Sequence, residues 1–96
     1  MPYTLLSVHN FNRTKRKLPS ALHMEIDRQV RVICDEPTIG EEKMGDLRGV
    51  RVHKFRLAGQ LHLLAYLPDK SAKTITLLAL GGHENFYHDL KRYLDT

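Results

Sequence analysis

Lys54, Arg56, His83 and Tyr87 are the side chains whose types and spacing would support chemistry. Lys54 and Arg56 lie two apart in an alternating stretch, residues 50–57, so on a strand they project from one face, about 7 Å apart at ~3.3 Å rise per residue. Two cations so placed can hold a phosphate and stabilise charge that grows on it during phosphoryl chemistry. An ordinary charged strand face has the same pattern. His83 and Tyr87 follow Gly81-Gly82 and stand four apart, on one side of the chain if that segment is helical. An imidazole titrates near neutrality and passes a proton; a phenol donates one or positions a phosphate. RNA carries its own nucleophile, the 2′-OH, so a site that cleaves it needs a base, an acid and cations around the transition state. These four residues would supply that set. Structural roles compete, with His83 ending a strand and Tyr87 packing in a core.

His62 is a further candidate, and its place depends on a turn. A three-residue loop at 57–59 puts Lys54 opposite His62, whereas a two-residue Ala58-Gly59 loop pairs Lys54 with Leu63 and sends His62 to the core face. A one-residue slip moves every side chain to the other face of a strand. Other chemistry is not indicated. His83, Glu84 and His88 lack the spacing of an H-E-x-x-H metal motif, and a single cysteine cannot build a structural zinc site. No P-loop, dinucleotide fingerprint or nucleophile elbow is present. Cys34 adjoins Ile33 on the apolar side of a helix, a packing position.

The elements that must hold these residues follow from periodicity. Residues 3–7 read as a short strand, after which Ser7 can cap a helix carrying Phe11, Lys15 and Leu18. Pro19 suits the first turn of a second helix, along which Leu22, Ile26, Val30 and Ile33 recur, and Pro37 closes it. Residues 38–49, with three glycines among charges, read as an exposed loop. The period then changes to two. Residues 50–57 and 60–67 are strands about the Ala58-Gly59 turn, Pro68-Asp69-Lys70-Ser71 makes a second turn, and residues 74–80 form another strand ended by Gly81-Gly82. Phe86, Leu90, Tyr93 and Leu94 mark a short amphipathic helix. The expected fold is α+β, order β-α-α-β-β-β-α, with an N-terminal helical hairpin on one face of a small antiparallel sheet and the other face open for function.

Length and charge set bounds. The 96 residues suit a single domain spanning 1–96, and 42% hydrophobic content suffices for one core. No run approaches the ~20 apolar residues of a membrane span, and no secretion signal is seen, so no membrane partner is expected. One cysteine suits a reducing cytoplasm. Fifteen Lys and Arg against eleven Asp and Glu give a net +4, concentrated at Arg13, Lys15, Arg16 and Lys17 and again at Arg48, Arg51, Lys54 and Arg56. Such clusters are an electrostatic footprint for phosphates, or solvated faces.

With these residues in view, the chain resembles the RelE/ParE superfamily, the toxins of bacterial type II toxin–antitoxin pairs. The resemblance covers nearly the whole chain. It runs through the order of elements, the segment from Lys43-Met44-Gly45-Asp46-Leu47-Arg48 to His53-Lys54-Phe55-Arg56, then Leu63-Leu64-Ala65-Tyr66, and Leu78 to Tyr87 with Gly81-Gly82-His83 inside it. It implies a ribosome-dependent endoribonuclease that cuts messenger RNA by 2′-OH attack without metal or cofactor. Its two basic residues on the middle strand match Lys54 and Arg56, and its C-terminal aromatic matches Tyr87. Where RelE itself has arginines on the next strand and after the glycine, this chain has His62 and His83. That is similar to the YafQ-like relatives, whose histidine precedes an aromatic by four positions. Arg48 and Arg51 would contact the RNA backbone. The implied partners are a cognate antitoxin and messenger RNA on the ribosome, with ribosomal RNA contacts and with DNA reached only through the antitoxin. The ParE-like branch shares the fold but inhibits DNA gyrase without cutting RNA, which is the alternative.

Overall fold

The β-meander is set by its tightest turn. Ala58 and Gly59 both adopt positive φ, 53° and 80°, the conformation of a two-residue hairpin whose twist matches that of the strands. It joins β3 (Arg51–Leu57) to β4 (Gln60–Asp69), with Leu57 opposite Gln60 and Lys54 opposite Leu63. Of the two registers the sequence allowed, the structure takes the second. Strand β4 turns back through Lys70–Lys73, where Lys73 has φ 59° and the Asp69 carboxylate accepts from the Ala72 N–H at 3.0 Å. β5 (Thr74–Gly82) follows and takes in both glycines of the pair at 81–82, which pair with Leu63 and His62.

The computed structural model describes residues 3–82 and 86–94, without the side chain of Tyr93. Within it, β1 is Thr4–Ser7, α1 His9–Lys17, α2 His23–Asp35, β2 Glu41–Glu42 and α3 Phe86–Leu94. The fold is α+β as expected, but the sheet is mixed. Its five strands lie in the order β1-β5-β4-β3-β2, and β1 pairs with β5 in parallel. Tight turns force alternate directions within the meander; β1 is joined to it through the helical hairpin and the segment that follows, and is free of that constraint. The residue before α1 is Val8, which makes no side-chain cap, so Ser7 is the last residue of β1 and not a cap. Lys15, Arg16 and Lys17 occupy the last turn of α1, where the helix dipole favours cations, and Lys15 pairs with Asp27 at 2.5 Å. Lys15 of that basic cluster is therefore engaged within the helical hairpin, while Arg13, Arg16 and Lys17 are exposed. Residues 38–49 are more ordered than a loop: they hold β2 and a single 3-10 turn, Gly45–Leu47, whose Leu47 is buried.

Two apolar layers form, one on each face of the sheet. Phe11, Ile26, Val30 and Ile33 from α1 and α2 pack on Phe55, Leu57, Leu64, Tyr66, Ile75, Leu77 and Leu80. Leu63, Ala65, Val50, Val52, Leu78 and Ala79 face the other way, under Leu47 and under Phe86 and Leu90 of α3. A β-bulge between Ala65 and Tyr66 makes both layers possible on β5: Ala65 pairs with Ala79 and Tyr66 with Leu77, so Leu78 is the extra residue. Its carbonyl accepts from the Asn10 side chain at 3.2 Å. The face expected to be open is thus partly roofed by α3.

Candidate nucleic-acid interface

Alternation along β3 divides the candidate residues. Val52 is buried under α3, so Lys54 and Arg56 project from the same face as α3, and both are exposed. Arg56 Nη1 donates to the Gly59 carbonyl at 3.2 Å, which lays its guanidinium over the hairpin turn. Arg51, His53, Phe55 and Leu57 point the other way.

Strand β2 adds to this face. Glu41 pairs with Val52 and Glu42 with Arg51, and the ladder continues as the Lys43 N–H donates to the Val50 carbonyl at 2.9 Å. Glu41 and Lys43 therefore share the face of Lys54, while Glu42 lies opposite. The Lys43 Nζ donates to a Glu41 carboxylate oxygen at 2.6 Å and stands 4.9 Å from the centroid of the Tyr87 ring. The carboxylate keeps Lys43 firmly protonated; in turn Lys43 first, then Lys54, holds the Glu41 carboxyl below its ordinary value. Tyr87 is half-buried and meets Phe86 edge-on at 5.4 Å. The face thus gathers Lys43, Lys54 and Arg56, one carboxylate and one phenol.

What positions β2 lies on the far side of the sheet. The buried Tyr66 hydroxyl donates to the Pro37 carbonyl at 2.6 Å and accepts from the Gly40 N–H at 2.9 Å. A Cβ on Gly40 would come within 2.8 Å of that hydroxyl, so only glycine fits there. Burial pushes the Tyr66 phenol up, the Gly40 N–H pulling against it. Arg51 completes the clamp. Its Nη1 donates to the carbonyls of Thr38 and Gly40, at 3.2 and 2.6 Å, and its Nη2 reaches Glu42 at 3.5 Å.

Several sequence expectations change accordingly. Arg51 does not join Lys54, because one step along a strand turns a side chain to the opposite face, and its donors hold the 38–42 segment. His62 does not join either: the two-residue turn places it opposite Phe55, with the rings 6.3 Å apart, on the helical-hairpin side. Its Nδ1 is 3.2 Å from the Gln60 carbonyl. Arg48 is exposed beside the 3-10 turn. His83 lies outside the described residues. Lys43 and Glu41 were missed, since the segment holding them read as loop, and three successive charged residues carry no alternation from which a strand could be read. Among the described residues no group of three or more His, Cys, Asp or Glu is placed to hold a metal ion.

Residues 5–91 match the family model for the ParE-like toxin of type II bacterial toxin–antitoxin systems. The chain belongs to that family. No curated protein gives a significant match to this ParE-like toxin. Solved structures do. A doubly arginine-substituted mutant of the E. coli toxin RelE in the free state superposes with TM-score 0.76 at 18% identity, covering 98% of this chain and 99% of that one. The RelBE2 toxin–antitoxin complex of Mycobacterium tuberculosis gives 0.75 at 20% identity, covering 86% and 100%. The archaeal RelE–RelB complex of Pyrococcus horikoshii gives 0.61 at 18%, covering 88% and 98%. At these identities the likeness establishes the RelE fold. No described helix is long and apolar enough to cross a membrane.

Proposed function

We propose that this toxin is an endoribonuclease that cuts messenger RNA on the ribosome by attack of a 2′-OH on the adjacent phosphate. The observation that carries the reading is the exposed edge of the sheet where Lys54 and Arg56 share one face with Lys43 and Tyr87. Lys54 and Arg56 bind the scissile phosphate and stabilise the charge that builds on it. Tyr87 positions the phosphate or protonates the leaving oxygen, His83 serves as acid or base, and Arg48 holds the backbone. 2′-OH attack of this kind needs no metal. The toxin acts in the cytoplasm and is held off by a cognate antitoxin, through which alone it reaches DNA; complexes of that kind are what two of the superposed structures contain.

Primer extension on ribosome-bound messages after induction tests the reading. New 5′ ends are expected with the parent and none with Lys54→Ala/Arg56→Ala; growth arrest with intact messages removes it. The second reading is a gyrase inhibitor, favoured by the ParE-like description of the family and by the placement of His62. Loss of supercoiling activity when purified toxin is added to gyrase identifies that case.

A further inference from the structure

Glu41 is a carboxylate among cations on a face read as binding phosphate, and the inference drawn from it rests on that reading. We infer that Lys43 is a third phosphate-binding cation of this face, and that Glu41 is its internal counter-ion, standing where an RNA phosphate will stand and displaced when one arrives.

The register places it there. Glu41 lies directly opposite Val52, which makes Lys54 its diagonal neighbour on the same face. Diagonal positions in an antiparallel pair are ~7–8 Å apart, within reach of long side chains. Lys43 is one step further along the same face of β2, 2.6 Å from the Glu41 carboxylate. Glu42, the next residue, is turned away and committed to Arg51. The carboxylate therefore hydrogen-bonds the cation of its own strand and stands in the field of Lys54 on the next, the place a phosphodiester oxygen would take.

Two features make Glu41 replaceable and Lys43 not. The Glu41 side chain is 67% exposed on a flexible stem, whereas that of Lys43 is only 21% exposed and lies against the Tyr87 ring. Exposed ion pairs are weak and screened by salt. A phosphate entering between Lys43 and Lys54 meets two cations at once, where Glu41 hydrogen-bonds only one. It would also come to rest beside Tyr87, because Lys43 touches that ring. Lys43 is thus the link between the strand cations and the phenol, and Glu41 keeps the link ordered in the free protein.

Fluorescence anisotropy with a single-stranded 2′-O-methyl RNA oligonucleotide, which cannot supply a 2′-OH, separates these roles. The parent is compared with K43M, E41Q and K54M across a salt series, with circular dichroism to show that each is folded; K43Q replaces K43M if the latter is not. K43M is expected to bind several-fold more weakly, with the slope of log affinity against log salt reduced by about 0.7, one phosphate contact on a single strand. E41Q is expected to bind about threefold more tightly at low salt, since one unit of repulsion some 7 Å from the phosphate is removed. If K54M weakens binding while K43M or E41Q binds like the parent, or E41Q binds more weakly, the inference is overturned and the phosphate-binding face survives. If K54M also binds like the parent, the face itself is refuted, and the inference with it.

Discussion

The two faces of the sheet use the same strands for opposite ends. Toward α1 and α2, β3 and β4 present Phe55, Leu57, Leu64 and Tyr66, and the polar groups there are closed on one another. His53, 9% exposed, stands 2.7 Å from the Gln29 amide oxygen, and Gln29 in turn donates to Glu25 at 2.7 Å. Toward α3, Val52, Leu63 and Ala65 are buried while Lys54 and Arg56, one and two alternations along β3, are left in solvent. The difference is one of coverage. α1 and α2 together roof the first face, whereas α3 roofs only part of the second. A strand can thus anchor a core and display charge within a few residues, because its successive side chains never share a face.

Substitutions that should act on one face alone sharpen this contrast. The largest effect is expected from Lys54→Ala, a loss of about 10²-fold in message cleavage with an unchanged thermal midpoint, as for removal of one group stabilising a developing oxyanion. His62→Ala should leave cleavage within about threefold of the parent, since its ring lies across the sheet. Equal losses from the two would break the division between faces. Next is Gly40→Ala, whose Cβ meets the Tyr66 hydroxyl at 2.8 Å. It should cost about 1–3 kcal/mol in urea unfolding, the range for forced overpacking. It should also lower activity by shifting β2, so full activity at reduced stability would separate the clamp from the site.

The smallest effect concerns His53. Burial lowers its pKa from the ordinary 6.5, so the folded chain disfavours the imidazolium. The sign follows from proton binding: as pH falls below 6.5 the unfolded state takes up the proton first, and stability declines until the folded pKa is passed. The urea midpoint should therefore drop between pH 7.5 and pH 5.5, and His53→Leu should flatten that dependence. A parent midpoint that does not drop would place His53 in a wetter setting than its contacts describe.

Much of this was legible in the residues themselves. The helical hairpin, the three-strand meander and the placement of Lys54 and Arg56 on one face followed from periods of 3.6 and 2, which are local properties. β2 was not legible, because two residues carry no periodicity; Glu41 and Glu42 become a strand only through pairing with β3. The parallel direction of β1 was likewise a matter of which edge it found.

The sequence by itself determined which residue types were available, the alternation that puts Lys54 beside Arg56, and the glycine at position 40. The tertiary structure alone decided that a two-residue turn sends His62 to the helical-hairpin side of the sheet, that Arg51 clamps the 38–42 segment, and that Lys43 rests against Tyr87 from 44 positions away in the chain. Alternation and propensity act over a few residues and can be read directly. Which strand edge meets which, and in what register, is settled by the packing of all the elements at once, and a single step of register exchanges core for surface.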